Sequence, residues 1–307
     1  MAANVYSKKI SAEQASKLKK YFESNPALYE MGDLNYGIFK AKGDGLVVSA
    51  YNSGKLVVQG KNMAEFIQFI LEPQILEEVS FGYETELMLE NFTPHAGVDE
   101  SGKGDFFGPL VISAVFLNEE SAKKLMDLGV ADSKSIKNHK KMLELAKEIK
   151  KECYENCSVI TIGNVAYNRM YNSFKNLNKL LAWGHAKAIE NMLEKTPQCQ
   201  LVISDQFARN KNVIKNALMQ KGQQIELQQM HKAESDIAVA AASILARATF
   251  VTQLNRIAEN VGFELPLGCS SKVKGTALKI AQEQGMDVLD SVIKQHFKTR
   301  NEVLMQL

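Results

Sequence analysis

Residues 96–110 read AGVDESGKGDFFGPL, a short apolar run, two adjacent carboxylates, a glycine-rich turn around Lys103, and the start of a second apolar run. A nucleotide-cradling glycine loop lies between a strand and a helix, because the helix N-terminus supplies amides and dipole for the phosphates. Here residues 109–116, PLVISAVF, follow instead, and their β-branched content predicts a strand. The spacing Gly102-x-Gly104-x-x-x-Gly108 also fits neither GxGxxG nor the Walker loop. The stretch is therefore strand–turn–strand, which disfavours a nucleotide-dependent phosphotransferase. Strict alternation sends Asp99 and Glu100 to opposite faces, so both serve one site only where the strand twists or ends, and Gly102 and Gly104 permit that. Glycine also lets backbone approach a ligand, and Lys103 adds a point charge suited to phosphate. A carboxylate pair before a glycine turn is equally the pattern of a solvated hairpin, so other carboxylates must decide.

Downstream of this stretch, short apolar strands (AGVDE, LVISAVFL, SVITIG, LVISD, QIELQQ) alternate with longer helical patterns such as SIKNHKKMLELAKEIKKE and NKLLAWGHAKAIENMLEK. That order predicts one α/β domain over residues 95–307. Upstream, residues 11–23 form an amphipathic helix with a serine at its start. YGIFKAKG, GLVVSAY and KLVVQG follow as an antiparallel meander, and NMAEFIQFILEPQIL as a second helix. A small α+β domain over residues 1–85 and a linker over 86–94 are the expectation. Lys40 and Lys42 share one face of their strand, read as a solvated face.

The apolar content of 45% excludes a chain disordered throughout. The N-terminal residues lack the apolar core of a secretory signal and no run of eighteen apolar residues is found, so a cytoplasmic protein without a membrane role is expected. Cys153, Cys157, Cys199 and Cys269 form no CxxC pair, which fits reduced thiols; Cys153 and Cys157, read on one helix face, make no zinc site. Net charge is +2, but residues 1–90 hold 9 Lys against 12 acids, leaving 28 Lys and Arg against 23 acids downstream, a weak pointer to an anionic partner.

Two further segments carry carboxylates at telling places. In QLVISDQFARN, Asp205 stands where an apolar strand ends, the position at which α/β sheets bind ligands, although a turn or cap would also use it. In MHKAESDIAVAAASILARATFV, a helix apolar on nearly every side must be buried, and Glu234, Ser235 and Asp236 precede it. Ser235 is read as the cap and one of the two acids as chemistry. Asp99, Glu100, Asp205 and Glu234 or Asp236 would then form an oxygen-only set, which suits Mg²⁺ or Mn²⁺ and, with two ions, phosphodiester hydrolysis. His185 and Trp183 lie inside an apolar helical run and are read as packing.

These motifs resemble those of ribonuclease HIII, a type 2 ribonuclease H: DESGKGDFFGPL, ADSK at 131–134, NKLLAWGHAKAI, ISDQFA and KAESDIAVAAASILAR occur in order along the chain. The resemblance implies a ribonuclease H-like mixed five-stranded sheet flanked by helices, preceded by a domain similar to a TATA-binding-protein repeat that helps hold substrate. It implies cleavage of the RNA strand of RNA–DNA hybrids with two Mg²⁺ or Mn²⁺ ions, leaving 5′-phosphate and 3′-hydroxyl ends. Carried over by position, Asp99 bridges the metals, Glu100 and Asp205 complete the ligands, and Glu234 is the fourth acid, since AES stands where the sister ribonuclease HII class has GDS. Gly102-Lys103-Gly104 occupies the place of the motif whose backbone meets ribose 2′-hydroxyls, the group that distinguishes RNA from DNA. Ser101 adjoins the site, and Lys134 is a candidate contact to the hybrid backbone. A ribonuclease HII-type enzyme ranks lower, because lysine replaces its arginine and the extra N-terminal domain is present. A noncatalytic nucleic-acid-binding protein is the alternative from another class. No protein partner is implied, and a monomer is expected.

Overall fold

A computed structural model describes residues 5–78, 89, 92–130, 138–205, 212–230 and 233–307. The chain divides into two compact units, Met1–Asn91 and Phe92–Leu307.

In the first unit, β1 (Val5–Lys9), β2 (Tyr29–Gly32), β3 (Gly37–Gly43), β4 (Leu46–Tyr51) and β5 (Lys55–Gly60) form an antiparallel sheet in the order β1-β5-β4-β3-β2. The meander read from sequence is its centre. The two edge strands, VYSKK and YEMG, carry too few apolar residues to announce themselves. Phe39, Ala41, Val48, Ala50, Leu56 and Val58 face α1 (Ala12–Glu23) and the helix that begins as α2 (Met63–Phe66), burying Leu18, Phe22, Phe66, Ile67 and Leu71. Ser11 and Gln14 close a reciprocal capping box at the start of α1, the cap expected of that serine. After Phe66 the helix widens to π-helical turns over Ile67–Leu76, with Pro73 inside. Proline has no N–H to give and its ring collides with the carbonyl four residues back, so the wider spiral accommodates it. Lys40 and Lys42 alternate with buried Phe39 and Ala41 and lie on the solvent-facing side.

The second unit is built on β6 (His95–Ser101), β7 (Leu110–Leu117), β8 (Cys157–Ile162), β9 (Leu201–Asp205) and β10 (Glu226–Met230), in the order β10-β9-β6-β7-β8. β6, β7 and β8 pair antiparallel, whereas β9 joins β6, and β10 joins β9, in parallel. This is the mixed five-stranded sheet that the resemblance implies. Its helices are α3 (Glu119–Asp127), α4 (His139–Glu152), α5 (Asn164–Phe174), α6 (Leu177–Lys195), α7 (Asn212–Lys215), α8 (Ile237–Val261), α9 (Ser271–Gln284), α10 (Met286–Val292) and α11 (Lys298–Leu304). Cys153 ends α4 and Cys157 begins β8, so the two thiols do not share a helix face as the spacing suggests.

β7 is buried along its whole length because helices cover both of its faces. On one side Gly184 of α6 lies so close to the sheet that a Cβ there would stand 2.7 Å from Ile112 Cδ1. On the other, α8 meets β6 at Gly97, where a Cβ would stand 2.1 Å from the Val239 nitrogen. Alanines allow that approach: Ala238, Ala241, Ala242 and Ala246 are fully buried. Ile237–Val261 is long and apolar enough to cross a membrane, but it is mostly buried, its apolar surface packed on β6, β7 and α4. Gly97→Ala should push α8 off the sheet and cost about 2 kcal/mol, read as a lowered thermal midpoint; an unchanged midpoint would mean the helix can yield.

Candidate active site

Among the described residues β6 extends beyond its pairing with β9. The last residues paired between them are Val98 and Ser204, and one step further along each strand come Asp99 and Asp205. Alternation along β6 places Gly97 and Asp99 on the α8 side, Val98 and Glu100 on the α6 side. The strand does not end between the two acids but stays in register with β7 through Ser101. Both nevertheless reach one pocket of about 210 Å³, lined by Asp99, Glu100, Ser101, Asp205, Glu234, Val239, Ser243 and Arg247.

Each acid of the pair is held by a different helix. The Asp99 carboxylate accepts from the Glu100 backbone N–H at 2.8 Å and is hydrogen-bonded by Ser243 of α8. Glu100 faces His185 of α6, whose Nε2 stands 2.9 Å from Glu100 Oε2, and Lys103 Nζ lies 3.4 Å from Glu100 Oε1. His185 is 1% exposed and packs as expected, but the reading of it as packing alone is corrected: it positions a carboxylate. Burial, then the neighbouring Glu100 charge, push Asp99 up to about 6. Burial would raise Glu100 too, but the hydrogen bond and charge of His185, with Lys103, bring it below its ordinary value.

Asp236 is the cap of α8. One of its carboxylate oxygens accepts from the Ala238 and Val239 N–H groups, both at 3.0 Å, and the other meets His95 Nε2 at 2.8 Å. The expectation that Ser235 caps the helix is therefore corrected: Asp236 has the extended backbone and the short acceptor that the position needs. With both Asp236 oxygens engaged, Glu234, in the tight turn Ala233–Ser235, is the acid that reaches the pocket.

The glycines divide. Gly102 has φ +90° and a Cβ there would stand 2.3 Å from the Pro109 carbonyl oxygen; Gly108 has φ +79°. The fold requires both. Gly104 lies in the turn and is exposed, but it has no positive φ and a Cβ there would meet nothing within 4 Å, so the turn does not require glycine at that position. Lys134 lies outside the described residues.

Among the described residues no three Asp, Glu, His or Cys side chains already surround a point that a metal ion could occupy. The donor set fits a hard divalent cation all the same, being carboxylate oxygens around a pocket where burial and then a neighbour's charge push one acid up. Uncompensated negative charges repel, and a cation between them relieves that repulsion.

Residues 96–300 match a family model described as Ribonuclease HII, and residues 7–78 one described as a domain of unknown function (DUF3378). A ribonuclease HIII of Protochlamydia amoebophila is 46% identical over 88% of this chain and 87% of its own length, and one of Chlamydia caviae 44% over 87% of each. The chain belongs to the ribonuclease HIII family. Among solved structures, Bst-RNase HIII in complex with Mn²⁺ matches this ribonuclease HIII chain with a TM-score of 0.66, 25% identity and 98% of each chain covered. Aquifex aeolicus RNase H3 matches with a TM-score of 0.55 and 27% identity, over 95% of this chain and 100% of its own.

Sequence reasoning missed Ser243 and Arg247 in this ribonuclease HIII pocket, and the contact that His185 makes with Glu100 beside it. Val239, Ser243 and Arg247 recur every four residues, so they share one face of α8, and two polar groups on a stripe of a buried helix were the available signal. His95 offers a test of how that helix is anchored. Its ring nitrogens meet two acceptors, the Thr93 carbonyl at 2.6 Å and Asp236. Burial lowers the imidazole, but the hydrogen bond and charge of Asp236 and the Thr93 carbonyl together outweigh it, and the value is raised. The stabilisation is fully present below the ordinary imidazole range and is lost as pH rises through the raised value. His95→Gln should therefore cost about 2 kcal/mol at pH 6, with a smaller gap to the parent at pH 9 in denaturant titrations. A gap that does not change with pH would exclude an ionised pair.

Proposed function

We propose that this ribonuclease HIII chain hydrolyses the RNA strand of RNA–DNA hybrids in the pocket beside β6 and β9, with Asp99, Glu100, Asp205 and Glu234 holding two divalent cations, Mg²⁺ or Mn²⁺. One observation carries the reading: four acids from three separated chain segments line a single pocket, and one of them is pushed up to about 6. Divalent cations, when bound, supply a nucleophilic water near neutral pH and neutralise charge on the attacking and leaving oxygens. The chain's own part is orientation. Ser243 and the Glu100 N–H fix the Asp99 carboxylate, and His185 fixes Glu100. Lys103 and Arg247 place positive charge at the pocket's rim, where a phosphate would enter. Gly104, unconstrained by the fold, leaves backbone open to a ribose 2′-hydroxyl. Hydrolysis in this sense leaves 5′-phosphate and 3′-hydroxyl ends.

The same reading assigns residues 1–85 to substrate binding, 86–94 to a linker and 95–307 to catalysis, in a chain that works as a cytoplasmic monomer. The solvent-facing Lys40 and Lys42 support a grip on nucleic acid by the first unit. Membership of the family leaves a purely binding role unfavoured.

The deciding experiment incubates the protein with labelled RNA–DNA hybrid, double-stranded RNA and duplex DNA, with Mg²⁺, with Mn²⁺ and with chelator. Cleavage confined to the hybrid and abolished by chelator is expected; binding without cleavage would overturn the enzyme reading. Asp99→Asn should lower kcat at least about 100-fold while hybrid affinity by fluorescence anisotropy persists, and near-parental turnover would sink the assignment. Removing residues 1–85 should weaken hybrid binding and make the plot of log affinity against log salt shallower. An unchanged slope would take the first unit off the substrate.

A further inference from the structure

Beneath the glycine turn lies a lysine that the chemistry above does not use. Lys294, just after α10, is 0% exposed. Its Nζ donates to the backbone carbonyls of Asp105 at 2.9 Å and Gly108 at 2.6 Å, with that of Phe107 at 3.5 Å. The Tyr167 and Phe250 rings lie 5.6 and 6.0 Å from the same ammonium. Lysine is almost never fully buried without partners, because an ammonium taken out of water loses several kcal/mol of hydration. Here carbonyl dipoles and ring faces replace that water, and burial still pushes the group down to about 7.

The carbonyls it collects all belong to the loop that leaves β6 after Ser101 and enters β7 at Leu110. The backbone around Lys294 is tied to the same loop. Lys294 N–H donates to the Phe106 carbonyl at 2.8 Å, Gly108 N–H to Val292 at 3.1 Å, and Phe107 bridges Ile293 in antiparallel fashion. Asn168 grips the segment from behind, donating to the Ile293 carbonyl at 2.9 Å and accepting from the Gln295 N–H at 3.0 Å. Gly268 ties the loop as well, its N–H donating to Asp105 Oδ1 at 2.7 Å and its carbonyl accepting from the Phe106 N–H at 3.0 Å. The turn at the exposed end is closed by a weak bond, Asp105 N–H to the Gly102 carbonyl at 3.3 Å, and runs directly into the segment Asp105–Gly108 that is held from below.

We propose that Lys294 is a positioning residue for hybrid recognition: its buried ammonium gathers the carbonyls of Asp105, Phe107 and Gly108 and so fixes the Gly102–Gly104 backbone in the shape that reads ribose. The proposal rests on the assignment of that backbone to the 2′-hydroxyl. Lys294 touches none of the four acids' side chains among the contacts described, so its effect falls on substrate affinity rather than on the chemical step.

Lys294→Met keeps length and removes charge and donors. It should raise KM for the hybrid about 10-fold, leave kcat within about threefold, and speed amide exchange across residues 102–108. Parental KM, with or without a lowered thermal midpoint, would overturn the proposal and leave Lys294 a residue of stability alone. If Lys294→Met does not fold, Asn168→Ala loosens the same segment and should move KM and loop exchange in the same directions; faster exchange at parental KM would again overturn it. Gly104→Ala tests the underlying assignment separately, because nothing in the fold resists a Cβ there. A parental KM in Gly104→Ala would reject the ribose assignment, while loop exchange in Lys294→Met would still report whether the lysine shapes the turn.

Discussion

Two adjacent carboxylates in a strand covered on both faces are the constraint to which the rest of the catalytic unit answers. Neighbouring side chains on a strand point to opposite sides of the sheet, so Asp99 and Glu100 cannot be served by one helix. α8 covers the Asp99 side and α6 the Glu100 side, each bringing one polar contact, Ser243 and His185, into an otherwise apolar interface. The close approach that makes these contacts possible comes from small residues, Gly97 beneath α8 and Gly184 within α6. Carboxylates, small residues and helix-borne partners are therefore one device. A larger residue at either glycine would separate a carboxylate from the group that orients it.

Among the described residues β6 extends past its parallel neighbour: its last pair with β9 is Val98 with Ser204, and from Asp99 to Ser101 it pairs with β7. Both acids border one pocket at that step of the sheet. The third carboxylate enters at that same step of the sheet. The fourth comes from the tight turn before α8, whose placement depends on Asp236 at the helix start and on His95 at the start of β6. One strand thus carries two pocket acids and also fixes, through its first residue, the element that supplies another.

How much of this was legible in the chain follows from the range of each signal. β6, β7 and β9 were readable because apolar runs bounded by turn residues are local, and their ends marked Asp99, Glu100 and Asp205. β1 and β2 were not, since a short polar edge strand is defined by the neighbour it pairs with. His185 read as packing because a buried histidine in an apolar helix looks the same whether or not a carboxylate faces it across 85 residues of sequence. Ser235 and Asp236 are adjacent and both can cap; the fold distinguishes them by giving Asp236 the extended backbone and, through His95, a tertiary partner for its second oxygen. NMAEFIQFILEPQIL read as one ordinary helix, because the local pattern does not say that the chain widens around Pro73.

The glycines of the turn show why a motif should be divided by physical demand. Gly102 and Gly108 are explained by backbone conformation and crowding, so their presence says nothing about a ligand. Gly104 has neither reason to be glycine within the fold, and the absent side chain leaves main chain exposed in the turn that follows Asp99 and Glu100. A backbone used as a reader must itself be rigid, because a floppy turn would lose, in ordering entropy, the selectivity that its hydrogen bonds confer. The exposed side of this turn offers little restraint, so rigidity has to come from the buried side, where side-chain donors and the strand-like pairing of residues 106–108 with 292–294 converge. Rigid below and open above is the arrangement expected of a surface that must discriminate one hydroxyl.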